Sequence, residues 1–211
     1  MELMSGFYRQ NEDSLSLLLQ QYLCGEVPVC LGCICGGAMS EAGVKGGQIT
    51  GWLFKEFREL SLYKAVEKPE KIFEKMKRKL DRYWTNCCVL QDFWTAGVLC
   101  IGNVFLLFYK GAVQVHLYNT YFGRSALQRI GGGCSESSEL QFHIGSMEAN
   151  IGILLASESF CMQFSGEELR NCLAVKDIKD PMQVQKRIRE LGNSAEKKGG
   201  RNMAALLFEI R

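Results

Sequence analysis

From Cys87 to Tyr118 four strand-like runs follow one another with little between them: Cys87–Trp94, Gly97–Ile101, Val104–Tyr109 and Ala112–Tyr118. Helical patterns flank this block on both sides. Upstream, Ser40 or Glu41 opens a predicted helix to about Leu60, with Val44, Ile49, Trp52, Leu53, Phe57 and Leu60 near a helical period. Pro69 sits as the first residue of a second, Glu70–Trp84, whose inner stripe is Ile72, Phe73, Met76 and Leu80. Downstream, Ser165 and Glu168 form a capping box for a short helix to about Leu173, and Pro181 opens another through about Gly192. Runs of strands and runs of helices, rather than strict alternation, predict an α+β chain with mostly antiparallel sheets.

Further strands are predicted at Val27–Ile34, Leu140–Ile144, Ile151–Ser157 and Met203–Ile210. Lys110-Gly111 reads as a hairpin turn, Thr120–Ser138 as loop and Glu196–Arg201 as a charged turn. Val27–Ile34, Val98–Ile101, Ile151–Ala156 and Met203–Phe208 are expected to be central, packed under the helices near Val44–Leu60 and Glu70–Trp84.

The chain has 211 residues, 47% of them apolar and 23% charged. That predicts one domain over 1–211, with roughly 70% of the unfolded surface buried on folding. Lys and Arg (25) nearly cancel Asp and Glu (23), so net charge argues neither for nucleic acid nor for an anionic membrane. The basic run Lys71–Arg82 is interleaved with Glu74 and Asp81, which reads as a solvated helix face. The first residues carry no basic segment followed by an apolar one, and no window of 18 apolar residues occurs. The expected location is cytoplasmic.

Ten cysteines then read as reduced, buried thiols. Cys30-x-x-Cys33-x-Cys35 has zinc-like spacing, but on a strand Cys33 and Cys35 face one side and Cys30 the other, which favours core packing. His116 and His143 alternate with apolar residues as ordinary strand positions. Gly131-Gly-Gly lacks the Lys of a phosphate loop.

Four segments in order resemble the PPM family, the metal-dependent type-2C serine/threonine protein phosphatases. Gly6-Phe-Tyr-Arg-Gln-Asn-Glu-Asp13 is similar to its Gly-x-x-Arg and Asn-Glu-Asp opening, and Cys35-Gly-Gly-Ala-Met-Ser-Glu-Ala-Gly43 to its Asp-Gly-Met-Gly-Gly-His-x-x-Gly. Leu154-Leu-Ala-Ser-Glu-Ser-Phe160 resembles its Leu-x-x-Ser-Asp-Gly-Leu, and Gly199-Gly-Arg-Asn-Met-Ala-Ala its terminal Ser-x-Asp-Asn-x-Thr. The resemblance implies a four-layer α-β-β-α sandwich of two antiparallel sheets flanked by helix pairs. It implies hydrolysis of phosphoprotein by a water activated on two Mn²⁺ or Mg²⁺ ions.

The departures fall on the implied ligands. Of four family aspartates the first is Asp13, with Glu12 beside it; the second is Cys35, the third Glu158 and the fourth Arg201. Hard cations want oxygen donors, and Arg201 is a permanent cation. Arg9 matches the phosphate-binding arginine one residue out of register, while Gly36 and Asn202 match backbone and amide positions of the motifs. Three readings stay open. The site is an internal salt bridge among Asp13, Glu158 and Arg201; or it holds a single cation on Glu12, Asp13, Glu158 and the Gly36 carbonyl; or it is a working two-metal centre. The leading expectation is a catalytically impaired binding or regulatory pseudophosphatase in phosphoprotein signalling, without a bound cofactor. Its partner would be a phosphoprotein or protein kinase. The alternative is a divergent Mn²⁺- or Mg²⁺-dependent phosphatase.

Overall fold

The computed structural model describes residues 3–10, 15–24, 26–37, 40–61, 68–86, 93–119, 127–132, 139–146, 151–173 and 180–210. Ten strands and five helices occur among them. β1 (Leu3–Arg9), β2 (Leu15–Cys24) and β3 (Val27–Gly36) precede α1 (Ser40–Ser61) and α2 (Pro69–Asn86). Then come β4 (Trp94–Ile101), β5 (Val104–Lys110), β6 (Val113–Asn119), β7 (Leu127–Gly132), β8 (Gln141–Ser146) and β9 (Ile151–Ser157). The chain closes with α3 (Glu158–Cys161), α4 (Gly166–Leu173), α5 (Pro181–Lys197) and β10 (Ala204–Ile210).

The first sheet has the order β1-β10-β9-β6-β7 and the second β2-β3-β4-β5-β8, with every pairing antiparallel. Strand alternation sorts the side chains into layers. On β3, Cys30 and Ile34 point into the space between the sheets, where they meet Val98, Leu155, Leu206 and Phe208. Val29, Leu31, Cys33 and Cys35 point the other way, toward Leu53 and Phe57 of α1 and Phe73 and Met76 of α2. Leu154, Ala156, Ala205 and Leu207 carry the outer face of the first sheet onto α3, α4 and α5. Each fully buried Leu or Phe contributes about 1.5–3 kcal/mol of transfer free energy. Gly32 lets the sheets approach: a Cβ there would lie 2.3 Å from Phe208 Cζ. The result is a helix–sheet–sheet–helix sandwich.

The four strands expected to be central are all internal to their sheets. β3 and β4 lie under α1 and α2, but β9 and β10 lie under α3–α5, which corrects the expectation for those two. The Ser165 capping box closes on both sides, with Glu168 N donating to Ser165 Oγ at 3.1 Å and Ser165 N donating to Glu168 Oε2 at 2.7 Å.

Other expectations need correction. Lys110-Gly111 does not close a hairpin. β5 is already flanked by β4 and β8, so the turn carries the chain across to β6 in the other sheet. Gly111, at φ +75°, permits that sharp change beside Trp94. Thr120–Ser138 is not all loop, because Leu127–Gly132 pairs with β6 across a bulge at Val115/His116. Strands β1 and β2 were not expected at all, and α5 runs past Gly192 to Lys197. Gly192, inside that helix, leaves room for Tyr8: a Cβ there would lie 2.1 Å from Tyr8 Cδ2. Val44 is 66% exposed, about 140° around α1 from the buried stripe that starts at Ile49. The expected strand Cys87–Trp94 lies outside the described residues up to Gln91 and Asp92, and Trp94 begins β4.

Candidate functional site

One end of the sandwich gathers the chain segments that carry the family-like motifs. Here β3 ends at Gly36, β9 passes into α3 at Ser157-Glu158, the 200–203 segment enters β10, and β1 ends at Arg9. Side chains and backbone stitch these ends together. Asn202 Nδ2 donates to Gly37 O at 3.4 Å, tying the first sheet to the second. Ser159 Oγ donates to Asn202 O at 3.0 Å, and Ala204 N donates to Ser157 Oγ at 3.2 Å. Gln10 clamps the entry to β10: its backbone N donates to Met203 O at 3.1 Å, its Oε1 accepts from Met203 N at 3.1 Å, and its Nε2 donates to Gly200 O at 3.1 Å. Glu158 N donates to Ala112 O at 2.8 Å, which brings the β5–β6 crossing to the same end. Asn202 adopts φ +56°, a left-handed conformation that Asn tolerates better than most residues.

The expected site residues are distributed as follows. Asp13 and Glu12 lie outside the described residues, between β1 and β2. Arg9 is exposed, and its Nη1 donates to Leu15 O at 3.4 Å. Gly36 is buried facing the inter-sheet space, which Trp94 and Leu15 fill: a Cβ on Gly36 would lie 2.5 Å from Trp94 Cζ2 and 2.6 Å from Leu15 Cδ2. Glu158 is partly buried at the start of α3. Arg201 is exposed, and among the described residues the ion pairs do not join it to Glu158. Asn202 is partly buried in the network above.

Cys35 departs from the expected convergence. It follows Ile34, which faces between the sheets, so its own side chain turns toward α1. There its Sγ lies 3.2 Å from Thr95 Oγ1 and 3.5 Å from Cys33 Sγ, and a Cβ on Gly46 of α1 would be 3.2 Å from Cys35 Cβ. The motif segments therefore meet at one end of the fold, but the Cys35 thiol sits behind its sheet.

Nearby charge is modulated by burial. Burial pushes the Cys161 thiol up to about 12, with Arg129 pulling it down and Glu158 adding to the rise. His116, on β6, has Nε2 2.9 Å from Gln114 Oε1 and 3.9 Å from Cys161 Sγ. Burial, then Arg129, lowers its pKa to about 4. This fits the sequence reading of His116 as a hydrogen-bonded strand residue; His143 is partly exposed on β8 with its ring 6.0 Å from Phe105. Gln10, Thr95, Trp94 and Ser159, which shape this end, carry no distinguishing signal in the sequence. Gln10 and Ser159 do lie inside the family-like motifs, beside Arg9 and Glu158.

No family model matches the chain, and no curated protein matches it. Solved structures do. The serine/threonine phosphatase of S. agalactiae is 11% identical, with a TM-score of 0.64 and 100% of both chains covered. PppA, a key regulatory component of T6SS in Pseudomonas aeruginosa, is 15% identical with a TM-score of 0.68, over 99% of this chain and 98% of that one. The Mycobacterium tuberculosis serine/threonine phosphatase PstP/Ppp is 12% identical with a TM-score of 0.61, over 100% and 98%. The chain thus has the α+β sandwich fold of bacterial PPM-type serine/threonine phosphatases along its whole length. Among the described residues no helix is long and apolar enough to cross a membrane.

Proposed function

We propose that residues 1–211 act as one domain, a phosphatase-fold protein that works as a binding or regulatory component rather than as a metal-dependent hydrolase. The observation that carries this reading is the direction of Cys35. A hard divalent cation at the sandwich end needs carboxylate or carbonyl oxygens. The residue in the second aspartate position is a thiol buried against α1, Thr95 and Cys33. The residue in the fourth position is the cation Arg201. This donor set does not fit a two-cation centre, so no catalytic step is derived through one. The segments still meet at one organised end, held by Asn202, Ser159 and Gln10, which suits recognition of a phosphoprotein or protein kinase partner. PppA, a key regulatory component of T6SS in Pseudomonas aeruginosa, is a precedent for such use of the fold.

The test is hydrolysis of p-nitrophenyl phosphate and of a phosphoserine peptide with Mn²⁺ and with Mg²⁺. The expected rate is at background, because neither Lewis-acid polarisation nor an activated water is supplied. Mn²⁺-dependent turnover that disappears in Asp13→Asn would replace this reading with that of a divergent phosphatase.

A further inference from the structure

We propose that the outer face of α2 docks an acidic segment of a partner protein. Lys68, at the entry to the helix, and Lys71, Lys75, Arg78 and Arg82 along it are all exposed. Their spacing alternates between three and four residues, which keeps them within about 80° of arc at about 100° per residue. The stripe is about 21 Å long at about 1.5 Å per residue. Phe73, Met76, Leu80 and Trp84 occupy the opposite side of the helix, in the layer over the second sheet. In the sequence these bases alternate with Glu70, Glu74 and Asp81, but the helix sorts them. The three acids form a second exposed row, about 100° around from the first.

Internal contacts do not account for the stripe. Among the described residues the ion pairs include none of its five basic side chains. The pairs on this layer belong to Lys79, which is turned toward α1 and meets Glu56 and Glu59. Arg78 Nε donates to Glu74 O at 3.2 Å, which lays its guanidinium along the helix surface. Nor does helix stability explain it. The N-terminal end of a helix is positive and disfavours cations, yet Lys68 and Lys71 lie there and the last turn carries no base.

The charge pattern selects the partner. Cations recurring every three to four residues, about 4.5–6 Å apart, match the carboxylates of an acidic helix, which share that interval. The neighbouring row of acids then meets basic residues beside the partner's carboxylates. A nucleic-acid duplex or an anionic lipid surface is negative throughout and would press on Glu70, Glu74 and Asp81 as well, within the roughly 8–10 Å over which charge is felt. A membrane surface also calls for exposed apolar side chains, and the exposed residues described on α2 are all polar or charged. Exposed pairs are individually weak, so the contact is salt-sensitive. It does not depend on whether the sandwich end is catalytic.

The experiment measures fluorescence anisotropy of a labelled alanine-based helical peptide whose glutamates repeat every three and four residues. The full chain is expected to bind it at low salt, to release it as NaCl rises, and to bind a scrambled peptide of the same composition less tightly. Lys71→Gln/Lys75→Gln/Arg82→Gln should weaken binding about tenfold. Lys186→Gln/Arg189→Gln/Lys197→Gln, which removes the same charge from α5, should leave it unchanged. Circular dichroism checks that both variants fold. Oligothymidylate and phosphatidylserine vesicles are the competing probes. Absence of peptide binding by wild type, equal losses in the two triple variants, or tighter binding of either competing probe would each overturn the proposal.

Discussion

The Tyr118 hydroxyl donates to Glu209 Oε1 at 2.6 Å, joining the inner strand β6 to β10 across β9 beneath the helical layer. The same oxygen accepts from Arg187 Nη1 of α5 at 2.5 Å, and both charged side chains are buried. Gly152 of β9 lies between Tyr118 and Glu209 in register, and a Cβ there would lie 2.0 Å from Tyr118 Cζ. The ring therefore crosses over a glycine to reach the carboxylate.

That geometry predicts a sharp asymmetry. Glu209→Ala leaves Arg187 buried without its counter-charge and should cost about 3–5 kcal/mol of unfolding free energy in urea. Arg187→Met with Glu209→Leu removes both charges and should cost far less, with Tyr118 left as the residual penalty. Equal losses for the single and the double variant would show that the ion pair is not what the layer depends on.

A second prediction concerns pH. The His116 pKa is lowered from an ordinary 6.5 to about 4 by burial and by Arg129, so folding favours the neutral ring. A depressed folded pKa contributes stability that is complete above about 6.5 and is lost as pH falls toward 4. The expected loss between pH 7 and 4 from this residue is about 2–4 kcal/mol. His116→Gln cannot take up the proton. Its denaturation midpoint should fall less between those pH values than that of wild type, and an unchanged pH slope would refute the assignment.

How much of this was legible in the sequence depended on range. The Ser165–Glu168 capping box is a local exchange of hydrogen bonds, and the sequence predicts it correctly. Lys110-Gly111 shows the limit: two turn residues reveal a reversal, but only the occupied edges of β5 decide that the chain must change sheets. β7 was hidden because Gly131 and Gly132 have poor strand propensity and gain their extended form by pairing with β6. Cys35 is intermediate. Period-two alternation groups it with Cys33, but nothing local says that this face meets helix rather than the opposing sheet.

A third prediction follows from the edge of the first sheet. Gln185 of α5 reaches round β1 and satisfies the outward backbone of Phe7, accepting from its N at 3.0 Å and donating to its O at 2.8 Å. Gly6 allows α5 this close, since a Cβ there would lie 2.8 Å from Gln185 Cα. An uncovered edge strand is a template for pairing with another chain. Gln185→Ala should change stability by less than about 1 kcal/mol yet promote concentration-dependent self-association, read by light scattering. A variant that stays monomeric at every concentration would show that Phe7 needs no guard.

The last prediction returns to Cys35. If its side chain is held toward α1 by Thr95 and the packing of Leu53 and Phe57, then Cys35→Asp puts a carboxylate into that layer rather than at the sandwich end. Burial without a counter-charge raises a carboxyl group's pKa and costs several kcal/mol. Cys35→Asp should therefore lower the unfolding midpoint and recover part of the loss below about pH 5, where the carboxyl is protonated. Adding Arg201→Asp should not restore Mn²⁺ affinity, because the new aspartate faces the wrong side of its sheet. Calorimetric titration with Mn²⁺ decides. Tight binding by the Cys35→Asp/Arg201→Asp variant would mean that residue 35 can swing into the space between the sheets, and that Cys35 and Arg201 together had disabled an otherwise competent metal centre.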